Sequence, residues 1–279
     1  MQRLLMATDL SPRSDHALAR ALRLAEQHGA ELRIVHVVDD ALPSHLATAQ
    51  RAGAESLVRE RVQELTGGKA RPVTVDVVTG SASTEILRAA VAGSAELIVI
   101  GAHRGGKEGA LRGSTAERVI RECHHPVLVV RRAPEADYRR VVIGVDFSLH
   151  ALWAARCGFR IAPAAEFHLV HSYVPPIAVF LTGNVHAQAR ELHVRELNRA
   201  IDEEMSAFLA RLGDRLPPHH RHVVEGSASE VVLHEAVRLP ADLIVAGTHG
   251  RTGVAYALLG SVAEDLLWQA PCDVLLARA

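Results

Sequence analysis

Leu243-Ile244-Val245-Ala246-Gly247-Thr248-His249-Gly250, followed after nine residues by Gly260-Ser261-Val262-Ala263-Glu264, is the stretch on which the reading of this chain turns. A short apolar run ends on a glycine, a second glycine follows, and a third stands before an apolar pattern of helical period. The run reads as a strand covered on both faces. Glycines let backbone N–H groups approach an anion without Cβ interference. The free N–H groups and dipole of a helix starting at Ser261 favour phosphate. Leu97-Ile98-Val99-Ile100-Gly101-Ala102-His103-Arg104 is an earlier copy, in which Arg104 replaces the second glycine and Gly113-Ser114 comes one residue sooner.

Working outward, the copying extends along the whole chain. Leu4-Leu5-Met6-Ala7-Thr8-Asp9 matches Val142-Ile143-Gly144-Val145-Asp146, and Leu32-Arg33-Ile34-Val35-His36-Val37 matches Phe167-His168-Leu169-Val170-His171-Ser172. Gly80-Ser81-Ala82-Ser83 matches Gly226-Ser227-Ala228-Ser229, and the run ending at Arg131 matches the one ending at Arg278. Blocks recurring in one order mean a duplication. We expect domains at 1–133 and 139–279, joined by the short polar stretch 132–138; the length of 279 residues suits two domains of about 140.

Within each copy, strand-like runs (4–8, 32–37, 73–78, 97–100 and 127–130 in the first) alternate with helical patterns such as Ala17, Leu18, Ala21, Leu22 and Ala25 after Ser11-Pro12, or Leu57, Val58, Val62 and Leu65. That alternation predicts an α/β fold of two tandem doubly wound parallel sheets. The net charge is −1 with no basic tail, so general nucleic-acid affinity is not expected. Three scattered cysteines form no CxxC pair, and no run reaches the roughly 20 apolar residues of a membrane helix. The expectation is a soluble, cytoplasmic protein.

Open parallel sheets bind ligands at the carboxyl ends of their strands. In the second copy Asp146, His171-Ser172 and Gly247 fall there. Asp146 suits the exocyclic amine of an adenine, and Arg251 and Ser261 suit phosphate. Simpler readings stand beside these. Ser114 and Ser261, each with Glu three residues on, fit a capping box, and Asp9 and Asp146 fit turn positions before X-Ser.

Both halves resemble universal stress protein domains, and the chain resembles the tandem type. Gly247 to Gly253 followed by Leu259 to Glu264 is similar to that family's ATP-binding signature. The resemblance implies a five-stranded parallel sheet in the order 3-2-1-4-5. It also implies ATP, with or without magnesium, held by Asp146, the backbone at Ser172, Gly247, Gly250, Gly260, Ser261 and Val262. Asp9, Val37, Gly101, Gly113 and Ser114 are weaker counterparts, expected to bind ATP poorly because Arg104 breaks the loop.

The 17 histidines include His219-His220-Arg221-His222, read as a solvated cluster, since no spacing matches a structural zinc site. Neither a G-x-S-x-G elbow nor a Walker A motif is present. The favoured function is a nucleotide-binding regulatory protein of the stress response with little or no hydrolysis. The alternatives are a slow ATPase or adenylyl-transferring enzyme, and a nucleotide-independent interaction module using the apolar stretch 175–181. The partners expected are the adenine nucleotide and an unidentified protein, with the two domains pairing inside the chain and a homodimer left open.

Overall fold

The computed structural model describes residues 1–41, 44–68, 72–102, 114–174, 187–214, 216–250 and 259–279. The first half runs β1 (Arg3–Thr8), α1 (Pro12–His28), β2 (Glu31–Val38), α2 (Ser44–Thr66), β3 (Val73–Thr79), α3 (Ala82–Ala92), β4 (Leu97–Gly101), α4 (Thr115–Glu122) and β5 (Val127–Val130). The second runs β6 (Arg140–Gly144), α5 (Leu149–Ile161), β7 (Glu166–Tyr173), α6 (Ala187–Leu212), β8 (His219–Glu225), α7 (Ala228–Arg238), β9 (Leu243–Gly247), α8 (Ser261–Gln269) and β10 (Asp273–Ala277).

Local chemistry sets these boundaries. Ser11 caps α1 by accepting from Ser14 N, Pro12 fills the first turn, and Gly29 ends the helix in the left-handed region at φ 63°. Along β1, Leu4 and Met6 face one side of the sheet while Leu5 and Ala7 face the other. Both sides are covered by helices, so the run has no polar alternation. In α2, Val58 and Val62 are buried whereas Leu57 and Leu65 face solvent.

The order 3-2-1-4-5 holds in both halves, and the structure joins them into one ten-stranded sheet, β3-β2-β1-β4-β5-β10-β9-β6-β7-β8. All neighbours are parallel except β5 and β10, which pair antiparallel with Val129 opposite Val274. The two core layers run on across the seam: Leu128 and Leu275 belong to one, Val129 and Val274 to the other. A periodicity argument finds the strands but not this pairing, because the outer side of each fifth strand is equally apolar in either arrangement.

Side chains cross the seam in both directions. The guanidinium of Arg131 donates to the carbonyls of Leu267 (2.7 Å) and Trp268 (3.1 Å) at the end of α8. Its copy Arg278 donates to Arg121 O at the end of α4 (3.3 Å). Each half thus supplies a cation to the last carbonyls of the other half's final helix, where the helix dipole favours positive charge. The polar stretch between the halves is anchored as well. Tyr138, expected in a short polar connector, is buried and donates to Asp273 Oδ2 at 2.7 Å. Asp273 also pairs with the buried Arg20 at 3.4 Å, whose guanidinium lies 4.0 Å from the Tyr138 ring centroid. Burial, then the Asp273 charge, push the Tyr138 phenol up, so it remains a donor. Among the described residues no helix is long and apolar enough to cross a membrane.

Candidate functional site

A cleft of about 500 Å³ opens at the carboxyl ends of β6, β7 and β9, lined among others by Asp146, His171, Ser172, Gly247, Thr248, Gly250, Gly260, Ser261 and Val262. The sheet brings the expected residues of the second copy to one place. Arg251 lies outside the described residues, as do His103, Arg104, Lys107, Gly113 and the apolar stretch 175–181.

Asp146 stands just beyond β6. Its Oδ1 accepts from Ser148 N at 3.0 Å, so the turn reading is realised. Phe147 between them adopts φ 62°, unusual for a bulky residue, and Leu10 repeats that value in the first half. The same strained corner occurring twice shows that the strand-to-helix turn dictates it. His171 donates Nδ1–H to Val145 O at 2.7 Å, and its ring centroid lies 4.4 Å from that of Phe147. His36 does the same toward Thr8 O at 3.0 Å. The repeat alignment contains both histidines; their role in tying two strand ends beside the cleft needed the parallel register.

The three glycines have distinct causes. A Cβ on Gly247 would meet His150 backbone carbon at 2.9 Å and Ala151 N at 3.0 Å, so this glycine lets α5 start against the end of β9. Gly101 plays that part in the first half, where a Cβ would lie 3.1 Å from Arg13 O. A Cβ on Gly260 would lie 2.9 Å from Thr248 O, the carbonyl that accepts from Gly260 N at 2.9 Å and ties the two ends of the glycine loop. A Cβ on Gly250 would come 3.0 Å from Asp146 Oδ2, which brings the loop against the carboxylate. Gly247 and Gly260 are therefore required by packing whether or not an anion is present.

The helices beyond the loops differ. α4 has Ser114 as its N-cap, the hydroxyl accepting from Glu117 N at 3.2 Å. The capping reading holds there. At α8 the cap is Gly260, which has no side chain to cap with, and Ser261 is the first helical residue. The capping expectation for Ser261 is thus corrected. The longer loop starts the second helix one residue earlier relative to the shared Gly-Ser, which removes the hydroxyl from the cap position. A helix end without a side-chain cap keeps N–H groups for another acceptor.

His249 sits in the glycine loop with Nδ1 3.0 Å from Thr248 Oγ1, its ring centroid 5.6 Å from that of His150. Burial, then His249 and Arg278, lower the His150 pKa against the opposing pull of Asp146. Asp146 is the one carboxylate among the described residues lining the cleft. Ala228 and Val232 of α7 add an apolar wall; the repeated Gly-Ser-Ala blocks were its sequence signal.

The first half has a comparable cleft of about 560 Å³, lined by Thr8, Asp9, His36, Val37, Gly101, Ser114 and others. Asp9 Oδ1 accepts from Ser11 N at 3.0 Å and also from the Ser14 hydroxyl. Burial acts to raise the Asp9 pKa, but hydrogen bonds from Ser11 and Ser14 outweigh it, and the carboxyl lies below its ordinary value.

Outside the clefts, the histidines of β8 are not simply solvated. His222 Nε2 lies 3.1 Å from Nδ1 of the buried His168, on which His220 stacks with centroids 5.1 Å apart. His168 pairs sequence positions far apart and was invisible to a local reading. No cluster of three or more His, Cys, Asp or Glu among the described residues is arranged to hold a metal.

The architecture defines a duplicated doubly wound α/β protein with a ligand-sized cleft in each half. The family described as the universal stress protein family matches residues 1–131 and 137–278, and the chain belongs to it. It is 25% identical over 304 residues to universal stress protein E of Salmonella typhi, covering 99% of this chain and 94% of that one. It is 28% identical over 298 residues to a universal stress protein of Mycolicibacterium smegmatis, covering 99% and 96%. The crystal structure of a universal stress protein from Archaeoglobus fulgidus matches the fold with a TM-score of 0.71 at 20% identity, covering 99% and 98%.

Proposed function

We propose that this chain is a regulatory nucleotide-binding protein that holds one adenine nucleotide, ATP, in the cleft of its second half. The single observation that carries this reading is the start of α8, whose cap residue is Gly260 and which borders a cleft of about 500 Å³ whose other wall holds Asp146. That volume suits a small-molecule site. The N–H groups at Ser261 and Val262 would meet phosphate. Asp146 Oδ2 would accept from the adenine amine, and the Ser172 backbone would meet the base edge. Among the described residues the cleft holds a single carboxylate, Asp146, which this reading commits to the base rather than to an attacking water. Domains at 1–133 and 139–279 would then be one binding half and one partner half, and nucleotide occupancy would bias contacts with a protein partner.

The test is calorimetric titration of the full chain with ATP and with its Gly250→Val variant, whose Cβ would be driven toward Asp146 Oδ2. One ATP per chain in the parent and at least ten-fold weaker binding in the variant are expected (~1.4 kcal/mol or more). Undiminished binding by the variant refutes the site.

A further inference from the structure

Helix α7 joins two places that the second half otherwise keeps apart. Ala228 and Val232, in its first half, line the cleft, while Glu235 and Arg238 toward its other end meet a histidine of β8. We infer that the histidines of β7 and β8 form a proton-operated latch on α7, whose opening in mild acid loosens the apolar wall of the cleft and weakens its hold on the nucleotide. The inference rests on the nucleotide reading of that cleft and adds its regulation.

The latch is a directed chain of hydrogen bonds. A guanidinium only donates, so Arg238 Nη2, 3.5 Å from His222 Nδ1, makes that nitrogen an acceptor. The neutral His222 ring then carries its proton on Nε2 and donates to Nδ1 of the buried His168 at 3.1 Å. His168 in turn carries its proton on Nε2, a buried atom with no hydrogen-bond partner among the described residues. Glu166 Oε1 lies 4.0 Å from that nitrogen and accepts instead from His220 Nε2 at 2.8 Å. Both acceptor nitrogens of the chain are therefore taken. An added proton sets donor against donor, at His222 Nδ1 against Arg238 or at His168 Nδ1 against His222.

The charged groups around the chain favour its neutral form. His220 of β8 stacks on His168 with ring centroids 5.1 Å apart, and Arg140 of β6 reaches Leu239 O at the end of α7 at 3.2 Å. On α7, Arg238 stands beside His222, and His234 Nδ1 lies 3.5 Å from Glu235 Oε1. All of these are cations or become cations in acid. Glu166 and Glu235 pull the other way, but Glu235 is buried and both its oxygens already accept from Arg238 at 3.0 and 3.1 Å. Burial leads in lowering the pKa of His168 and of His222, so proton uptake favours the opened arrangement.

The helix carries this to the cleft. Val232 and Glu235 are both on the buried face of α7, three residues apart in a helix of 11. The valine that lines the cleft and the carboxylate that anchors Arg238 thus move as one body. The first half has no such device. His168 and His222 are matched there by Arg33 and Asp76, which pair directly, and Glu235 and Arg238 by Ala89 and Ala92, whose methyl groups cannot tie α3 to its edge strand.

ATP is titrated calorimetrically into the full chain and into the double variant His168→Leu, His222→Leu, at neutral pH and at about pH 5.5, a unit below the ordinary histidine pKa of about 6.5. Hydrogen exchange of α7 is followed without nucleotide under the same conditions, corrected for the intrinsic pH dependence of exchange. Replacing both hydrogen-bonded partners by apolar groups is close to neutral for the fold, and Arg238 keeps Glu235. If circular dichroism shows the double variant unfolded, His222→Gln at the less buried ring takes its place. Comparison with the variant cancels protonation of ATP itself and of His150 and His249 at the cleft. On acidification the parent should lose about five-fold more ATP affinity than the variant, and its α7 amides should lose protection that the variant's keep. An equal loss of affinity in parent and variant, or equal α7 protection, overturns the inference. Failure of the nucleotide reading is a different outcome: no ATP binding at either pH, with α7 acid-sensitive in the parent alone, which refutes the ligand and leaves the latch standing.

Discussion

The two halves carry out the same local instructions around Asp9 and Asp146, and part company where the glycine loop meets the next helix. Both corners hold a left-handed bulky residue at φ 62°, both bind an N–H two residues on, and both tether a histidine to a strand end. At the other rim, the shorter first-half loop places Ser114 on the cap of α4, and the longer second-half loop places Gly260 on the cap of α8. The lesson is that a one-residue difference need not damage a fold to change a site. It moves a hydroxyl on or off the helix cap, and the donors of the helix end are either satisfied within the protein or left for a ligand.

The largest expected effect tests whether the halves stand alone. Asp273 is present once, with Pro126 at the matching first-half position; it accepts from Tyr138 and Arg131 N and forms an ion pair with Arg20. Asp273→Ala leaves a buried guanidinium uncompensated and should cost about 3–5 kcal/mol in urea unfolding. A loss under 1 kcal/mol would mean that the seam is held by the apolar layers alone.

Next in size are the first glycines of the two loops. Gly247→Ala puts a methyl into backbone at 2.9 Å, Gly101→Ala into backbone at 3.1 Å. Overpacking of this kind costs about 1–3 kcal/mol, and Gly247→Ala should be the worse of the two. If neither affects the unfolding midpoint, the glycines serve the ligand rather than the helix–strand contact.

A smaller contrast isolates the caps. Ser114→Ala removes a capping acceptor and should destabilise by about 1 kcal/mol, whereas Ser261→Ala, outside the cap, should fall within about 0.5 kcal/mol. Equal losses would erase the distinction between the helix ends.

The last contrast is proton-linked. Arg33 on β2 pairs with Asp76 on β3, and the matching positions of β7 and β8 hold His168 and His222. Burial is the leading cause lowering both histidine pKa values; Glu166 opposes it at His168 and Glu235 at His222, while His220 and Arg238 reinforce it. Both rings are therefore neutral in the folded chain at pH values where the unfolded chain, with a His pKa of about 6.5, already binds protons. Their contribution is present above that pKa and declines as pH falls below it. Hydrogen exchange should show β8 losing protection between neutral and mildly acidic pH while β3 holds. Equal behaviour of the two edge strands would show that the histidines do not titrate in folding.

Much of this was legible without coordinates. The strands of the first half were readable because a strand covered on both faces is apolar throughout, as in Leu97 to Ile100, and the Ser11-Pro12 start of α1 because capping chemistry is local. Asp146, Gly247 and Gly260 were readable as neighbours because the topology of a doubly wound sheet brings the ends of particular strands together. His168 was not, since its partners His220 and His222 lie across a strand pair whose register no local pattern specifies. Tyr138 reads as part of a connector because its burial depends on Asp273 and Arg20, far away in the chain.

By itself the sequence determined the duplication, the α/β alternation and the residues gathered at each cleft, all of which follow from periodicity and turn chemistry acting over a few residues. Tertiary structure alone decided that β5 and β10 pair to make one sheet, that Arg131 and Arg278 reach across it, and that Ser114 caps its helix while Ser261 does not. Those outcomes depend on which apolar edge finds which, and on where a loop of given length lets the next helix begin. Both are settled by packing the whole chain at once.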